Sequence, residues 1–126
     1  MKKVNTNNFK KTLSKFSTGI TVVCVKNNNS IYGKTVNSFN SLSLNPPMVL
    51  FSLGNYSSSI KKFSKTKFLS INILSSKQKK LSDNFALTEP NLEDIKFIEG
   101  KNKTVIIPNC IANLECKLID KIKKGD

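Results

Sequence analysis

Two clusters of serine, threonine and asparagine residues give this sequence its chemical content. The segment from Gly33 to Ser43 is dense in hydroxyl and amide groups and precedes the Pro46-Pro47 pair. Ser52 follows an apolar run, and Ser57–Ser59 open a predicted helix. Hydroxyls beside free N–H groups at a helix start suit a phosphate, and the side chains of residues 35–38 suit the edge of a heterocycle. The two clusters are compatible with a phosphorylated planar ligand, or with ordinary polar loops.

Residues that commonly react themselves are scarce. The chain contains no histidine, the most common general base and metal ligand. Its cysteines, Cys24, Cys110 and Cys116, have no CxxC spacing, so a zinc site would lack ligands. Cys24 and Cys116 lie in strand-like apolar runs, which favours small buried hydrophobic side chains over reactive thiols. The sequence therefore predicts no metal site and no catalytic side chain.

The net charge of +13 comes from lysine alone, since the 21 basic residues include no arginine. Proteins that read nucleic acids normally use arginine for bidentate contacts. We interpret the charge mainly as a solvated surface in an AT-rich coding background, one that attracts anionic small molecules. A small basic nucleic-acid-binding barrel is a remote alternative, because it would need exposed aromatic residues, and the chain has two tyrosines and no tryptophan. We therefore expect no nucleic-acid partner.

Length and composition predict one globular domain. The chain has 126 residues, of which 38% are hydrophobic, enough for a single core. No apolar run reaches the roughly 18 residues of a membrane span. The N-terminus, Met1-Lys2-Lys3, is basic but lacks the apolar stretch of a secretory signal, and an odd number of cysteines is typical of reduced thiols. We therefore expect a cytoplasmic protein with no membrane segment.

Runs of β-branched and aromatic residues predict a mainly β protein with short helices. The first two strands flank an Asn-rich turn, which indicates a hairpin. Residues 87–103 carry Pro90, Gly100 and most of the acidic residues, which predicts a surface excursion with one short helix. The predicted strands are 20–26, Ser30–Val36, Met48–Leu53 (buried), 67–74 and Ile111–Ile122 (long and half-buried). Three helices are predicted. The first is capped by Asn8 and has Phe9, Leu13 and Phe16 on one face. The second is capped by Ser57 or Ser58, and the third covers Lys77–Ala86.

Several motifs resemble the flavin reductase-like domain family, the small NAD(P)H-dependent flavin reductases that serve two-component flavin monooxygenases. The resemblance covers nearly the whole chain, in the family's order and close to its spacing. The motifs are Phe16-Ser-Thr-Gly-Ile-Thr-Val-Val23, Gly33-Lys-Thr-Val-Asn-Ser-Phe-Asn-Ser-Leu-Ser-Leu-Asn-Pro-Pro47, Ile71-Asn-Ile-Leu-Ser-Ser-Lys-Gln78, Leu81-Ser-Asp-Asn-Phe-Ala86 and Leu114-Glu-Cys116.

This resemblance implies a split β-barrel of the Greek-key type with short flanking helices, which binds FMN or FAD, usually at a homodimer interface. It implies that Lys34–Ser38 hold the isoalloxazine ring, that Ser52–Gly54 line the ribityl chain, and that Ser58 and Ser59 lie near the phosphate. Ser82 and Phe85 would close the site from the following helix. The implied cofactor-binding residues are Lys34, Thr35, Val36, Asn37, Ser38, Ser52, Leu53, Gly54, Ser58, Ser59, Ser82 and Phe85.

The implied reaction needs none of the missing residue types. A hydride passes from NADH or NADPH to flavin N5, so the cofactor carries the chemistry and the protein orients it. The implied partner is a flavin-dependent monooxygenase that uses the reduced flavin. A flavin-binding protein without reductase activity would share the same motifs and is an alternative.

The chain departs from the family's pattern at its C-terminal end. Family members usually continue past a Gly-Asp pair, here Gly125-Asp126, with a histidine and some tens of residues that complete the barrel. We therefore expect residues 1–126 to form a single domain without the usual C-terminal strands. This domain would be either an active reductase or an inactive fragment, with the flavin half of the site better represented than the nicotinamide half.

Overall fold

The computed structural model describes residues 3–126, which fold around a four-stranded antiparallel sheet. Met1 and Lys2, where the basic N-terminal segment begins, lie outside the described residues. The strand order in the main sheet is β2-β1-β5-β8, and β3–β4 and β6–β7 form two further hairpins. The elements are α1 (Thr6–Leu13), β1 (Thr21–Asn27), β2 (Ser30–Val36), β3 (Asn40–Leu44), β4 (Pro47–Leu50), α2 (Ile60–Ser64), β5 (Phe68–Ile73), a short 3₁₀ helix (Ser76–Gln78), α3 (Lys79–Ala86), β6 (Ile98–Glu99), β7 (Val105–Ile106) and β8 (Ala112–Lys117).

The predicted β1–β2 hairpin is confirmed. Its register runs from Thr21 opposite Val36 to Asn27 opposite Ser30. Asn28 in the turn has a φ of 55°, a left-handed conformation that asparagine tolerates better than most residues. The Asn-rich turn therefore fixes the register of β2, the strand that carries the first polar cluster.

Strand β1 lies inside the sheet and is buried on both faces. Its side chains alternate between the two faces, and each face is covered by a separate hydrophobic cluster. Val22 and Cys24 belong to one hydrophobic cluster and Val23 and Val25 to another, all of them fully buried. The first cluster is covered by Phe85 of α3 and by apolar side chains from the 87–111 region, namely Leu92, Ile95, Phe97, Val105, Ile107 and Cys110. The second is covered by side chains from α2 and from the chain around β4, namely Phe63, Val49, Phe51 and Leu53.

A group of polar side chains, which we call the Asn72 cluster, fastens β5 to the chain that covers it. The cluster consists of the fully buried Ser70 and Asn72 and the exposed Asn113. The Asn72 amide donates to the Val22 carbonyl (2.9 Å) and to Ser70 Oγ (3.1 Å). Its Oδ1 accepts from the Ile107 N–H (3.0 Å) and from Asn113 Nδ2 (2.7 Å). In the described part of the chain, every buried side-chain nitrogen and oxygen has a hydrogen-bond partner.

The middle of the chain differs from the sequence-based prediction. Met48–Leu53 was expected to be a buried strand, but β4 ends at Leu50 and its residues are exposed or half-buried. Its partner is β3, which lies in the segment predicted to be a polar loop. The two strands pair only with each other, so this hairpin lies outside the main sheet.

The excursion at 87–103 also differs from the prediction. It contains no helix, and β6 pairs with β7 instead. Leu92, Ile95 and Phe97 pack against the core, so the segment is a cover for the sheet as well as a surface loop.

Helix α1 starts earlier than predicted. Its N-cap is Asn5, whose side chain accepts a hydrogen bond from the Asn8 N–H (3.0 Å), so Asn8 lies within the first turn. The predicted apolar face is exposed: Phe9, Leu13 and Phe16 keep 53%, 55% and 79% of their surface accessible. The helix therefore contributes no side chain to either hydrophobic cluster.

The last strand is shorter than predicted. β8 covers Ala112–Lys117 and pairs with β5, and no helix or strand follows it. β2 and β8 are the outer strands and do not pair with each other, so the sheet of the described residues is open. The mainly β class is confirmed at this level. Among residues 3–126, no helix is both long and apolar enough to cross a membrane.

Candidate functional site

A cavity of about 320 Å³ lies beside the end of β2. Its walls come from three separate parts of the chain: the end of β2, the segment after β4, and Thr88, which follows α3. The volume falls at the lower end of the roughly 300–1,000 Å³ of small-molecule sites. The predicted site residues that line it are Lys34, Thr35, Val36, Asn37, Ser38, Ser52, Leu53, Gly54 and Ser58. The cavity thus brings together most of the residues that the two polar clusters contributed to the prediction.

One hydroxyl joins the two polar clusters. Ser38 Oγ accepts a hydrogen bond from the Ser52 N–H (2.8 Å) and donates one to the Ser52 carbonyl (3.2 Å). Beyond Ser52 the chain turns, with the Ser57 N–H donating to the Gly54 carbonyl (3.0 Å). This reciprocal contact fixes how the 52–58 segment lies against the end of β2.

The end of α3 is held against β2 by polar side chains. Thr35 Oγ1 donates to the Ser82 carbonyl (2.7 Å). Lys34 Nζ donates to the carbonyls of Ala86 and Leu87 (3.1 and 3.2 Å). These contacts position the chain after α3, where Thr88 reaches the cavity wall.

Close packing of Gly33 against Phe85 brings the two elements together. A Cβ at Gly33 would lie 2.4 Å from Phe85 Cε1, far inside van der Waals contact, and Phe85 is fully buried. Only glycine at this position lets α3 approach so closely. Phe85 and Ser82 lie behind β2 and are not among the residues that line the cavity, so they support its wall from the core side.

Ser59 lies next to the cavity but does not line it. It occupies the N-cap position of α2 without a side-chain capping bond, and its N–H donates weakly to Ser57 Oγ (3.4 Å). Closure of the site by Ser82 and Phe85 and a phosphate contact from Ser59 stay predictions.

Three lining residues were missed from the sequence: Tyr56, Ser57 and Thr88. Ser57 belongs to the serine cluster that the sequence analysis noted, so it could have been included. Tyr56 is 86% exposed, and an aromatic residue in a Gly-Asn-Tyr-Ser turn is a signal that could have been used. Thr88 lies in the excursion, and no local pattern distinguishes it there.

Lys34 is the one charged side chain among the described residues that line the cavity. The remaining lining side chains are neutral: hydroxyls, an amide, Val36 and Leu53. The three cysteines do not line it. Burial raises the pKa of Cys24, Cys110 and Cys116 above that of a free thiol. Cys24 is fully buried, which agrees with its interpretation as a small core side chain.

The lining residues fit a flavin. Hydroxyl and amide groups can donate to and accept from the polar edge of a heterocycle and a hydroxylated chain. The half-buried Leu53 offers apolar surface to a planar ring, and Tyr56 adds an exposed aromatic ring. A ligand site with a few converging polar groups and an apolar wall has this composition.

Comparison with known proteins gives the class. Residues 13–126 match the flavin reductase like domain family. An FMN reductase (NADH), SmoA of Agrobacterium fabrum, is 34% identical over 97% of this chain and 70% of its own length. HsaB of Mycobacterium tuberculosis, the reductase subunit of a flavin-dependent monooxygenase, is 31% identical over 94% of this chain and 64% of its own. The Streptomyces globisporus NADH:FAD oxidoreductase SgcE6, solved in complex with NAD and FAD fragments, superposes with a TM-score of 0.89 at 27% identity, over 100% of this chain and 79% of that one.

The chain therefore belongs to the flavin reductase-like domain family, and the family predicted from the sequence motifs is confirmed. It spans between 64% and 79% of the length of the relatives named above.

Proposed function

We propose that this chain is an NAD(P)H-dependent flavin reductase that binds FMN or FAD in the cavity beside β2. The observation that carries the proposal is the Ser38–Ser52 contact, which joins two polar segments distant in sequence into one cavity wall. Membership in the flavin reductase-like family, with relatives named as NADH-dependent flavin reductases, gives independent support. It also supports flavin and NAD(P)H as the cofactor and co-substrate.

When bound, the flavin supplies the redox chemistry by accepting a hydride from the nicotinamide. The work of the protein is to bind and orient. We assign Lys34–Ser38 to the ring, Ser52–Gly54 to the ribityl chain, and Ser58 and Ser59 to the phosphate. Ser82 and Phe85 then act as positioning residues, since they hold β2 from behind.

The apolar side chains beside the polar groups give the site its second property. Leu53 would help to exclude water beside a bound ring, with the buried Val36 behind the wall, and this would strengthen polar contacts at the ring's edge because the local dielectric would be lower. The absence of histidine from the chain does not conflict with this role, because orientation needs no general base.

The proposed assembly is a cytoplasmic homodimer of split barrels that passes reduced flavin to a monooxygenase component. Exposed apolar residues on α1 and just after it, including Phe9 and Phe16, support an association surface. The name of HsaB as a reductase subunit of a flavin-dependent monooxygenase supports the monooxygenase partner. Three free cysteines are typical of a reducing compartment. We propose residues 1–126 as a single domain.

Two measurements test the enzymatic proposal. Flavin fluorescence should be quenched on titration of the protein into FMN or FAD, and NADH or NADPH should be oxidised only when flavin is present. Binding without flavin-dependent oxidation of either nucleotide would favour the alternative, a flavin-binding protein without reductase activity. No quenching with either flavin would refute the proposed site.

Sedimentation velocity tests the association surface. The wild-type chain should sediment as a dimer, and replacing Phe9 and Leu13 by serine should shift it towards the monomer. A monomeric wild type would remove the homodimer from the proposal and leave the flavin site to be judged by the titrations.

A further inference from the structure

Lys34 is the one described residue that lines the cavity and also carries a formal charge. It is half-buried, in contrast to the exposed lysines that make up most of the chain's net charge. The cavity therefore presents a single positive charge and no negative charge to a bound molecule.

The ammonium group of Lys34 is held in place by backbone carbonyls. Nζ donates to Ala86 O and Leu87 O at 3.1 and 3.2 Å, at the C-terminal end of α3, where the helix dipole favours a cation. An ammonium group has three protons to donate. Two are used by these carbonyls, which leaves one for a further acceptor.

The proposed reaction creates a negative charge. A hydride carries two electrons, so its transfer from NADH to the neutral oxidised ring gives NAD⁺ and a reduced flavin ring with one negative charge. No proton from the protein is needed for this balance. A fixed cation beside the ring would be worth more to the reduced product than to the oxidised flavin, since electrostatic stabilisation depends on the charge that develops.

We propose that Lys34 makes the site selective for reduced flavin: its ammonium group binds the anionic reduced ring more tightly than the neutral oxidised ring. This inference rests on the proposed function. Lys34 is then a specificity-determining residue for the redox state of the ligand, and its contacts with α3 are what keep the charge in place.

The ring is the favoured target because of where Lys34 lies. Its contacts are with α3, and it belongs to the same strand as Thr35 and Val36. The hydroxyls of Ser57 and Ser58, which suit a phosphate, enter from the other segment, after β4. A role of Lys34 towards the phosphate is an alternative that the test must separate.

Four anaerobic titrations separate the possibilities: FMN and riboflavin, each oxidised and each reduced, with binding followed by absorbance and protein fluorescence. Riboflavin lacks the phosphate, so it reports on the ring and ribityl chain alone. Lys34→Met should weaken both reduced ligands by about 10- to 100-fold, the size expected for a hydrogen bond to a charged group. Both oxidised ligands should change by less than about threefold.

The midpoint potential of the bound flavin gives a second readout. Because the two redox states are linked by a cycle, each tenfold loss of preference for the reduced form lowers the two-electron potential by about 30 mV. Lys34→Arg keeps the charge and should retain most of the preference for reduced flavin. Lys34→Gln keeps a hydrogen-bond donor to α3 but loses the charge, so it should lose this preference.

Lys121→Met is the matched control. Lys121 also donates from Nζ to a backbone carbonyl, that of Ser64 at the end of α2, and it does not line the cavity. The substitution removes the same charge from the molecule and should leave all four titrations unchanged.

Three results would overturn the inference. If Lys34→Met weakened oxidised and reduced ligands equally, Lys34 would serve only to hold α3 in place. If it weakened FMN but not riboflavin, Lys34 would be assigned to the phosphate. Equal affinity of the wild type for oxidised and reduced riboflavin would exclude a charge preference without any variant. If the wild type bound no flavin in either state, the proposed function itself would fail, which is a different outcome.

Discussion

The cavity wall and the Asn72 cluster are built from the same residue types and have opposite properties. Both contain serine and asparagine beside strands of one sheet. In the Asn72 cluster each amide atom of Asn72 is used, by Val22, Ser70, Ile107 and Asn113, and the side chain is fully buried. In the cavity wall, Asn37 is exposed. At these two asparagines, exposure of the amide, and not polarity, distinguishes the proposed binding site from the structural cluster.

The largest effect on stability should come from substitution of the buried Asn72. Replacing Asn72 by alanine leaves the Val22 carbonyl and the Ile107 N–H without their partner in the core, at about 1–3 kcal/mol for each group. We expect the free energy of unfolding in urea to fall by about 3 kcal/mol or more. The exposed counterpart, Asn37→Ala, should change it by less than about 0.5 kcal/mol. Similar losses of unfolding free energy in Asn72→Ala and Asn37→Ala would contradict the distinction between a buried structural asparagine and an exposed one.

A substitution at the exposed Asn37 should instead affect flavin binding and leave stability unchanged. Asn37→Leu removes the amide from the cavity wall, and we expect the binding of FMN to weaken by about 1–3 kcal/mol for each polar partner left unmatched, with an unchanged urea midpoint. Asn102→Leu, at an exposed asparagine outside the cavity, is the control for added apolar surface. Equal titrations of the two variants would show that Asn37 is not part of the site.

Substitution of Ser38 should affect both stability and flavin binding, since Ser38 lines the cavity and also holds Ser52. Ser38→Ala removes two hydrogen bonds to a backbone that is partly open to water, so we expect a loss of about 1 kcal/mol in stability. Flavin binding should weaken as well, because the 52–58 segment loses its attachment to β2. Urea unfolding and an FMN titration of the same preparation measure both quantities. A loss in only one of them would assign Ser38 to one region alone.

The smallest effect concerns Cys110, which lies near the Asn72 cluster. Burial raises its pKa, although hydrogen bonds from Gln78 and Asn113 lower it in part. Less thiolate is then present at neutral pH, so iodoacetamide should label Cys110 more slowly than it labels free glutathione, and the rate should rise at a higher pH than for glutathione. Saturating FMN should leave this rate unchanged. Labelling as fast as that of glutathione would contradict the burial of this thiol.

Local sequence patterns were sufficient for the elements that stabilise themselves. The β1–β2 hairpin follows from a β-branched run and an Asn-rich turn, and α3 follows from the spacing of Leu81 and Phe85. Helix spacing identifies the apolar face of α3 but not the residues that this face contacts. For this reason the packing of Phe85 in the core behind Gly33 was not predicted, and closure of the site by Phe85 stays a prediction.

Long-range contacts account for what was missed. Alternation along β5 places Ser70 and Asn72 on one face, but their burial depends on residues 104–107, more than thirty positions away. The strand β3 looked like a polar loop because its partner β4 decides its structure. Thr88 reaches the cavity through the docking of α3, which no local pattern predicts.

The contact between Gly33 and Phe85 ties the existence of the site to the folding of the core. Phe85 can lie against β2 only when α3 is docked, and the same docking brings Thr88 to the cavity wall. A chain in which α3 has come loose therefore has no complete cavity, and a ligand there recognises only the fully folded molecule. Such a ligand adds about 2.7 kcal/mol to stability at a hundred times its dissociation constant. Cellular flavin supply would then set how much of this protein survives proteolysis, so that the abundance of the chain follows the abundance of its cofactor.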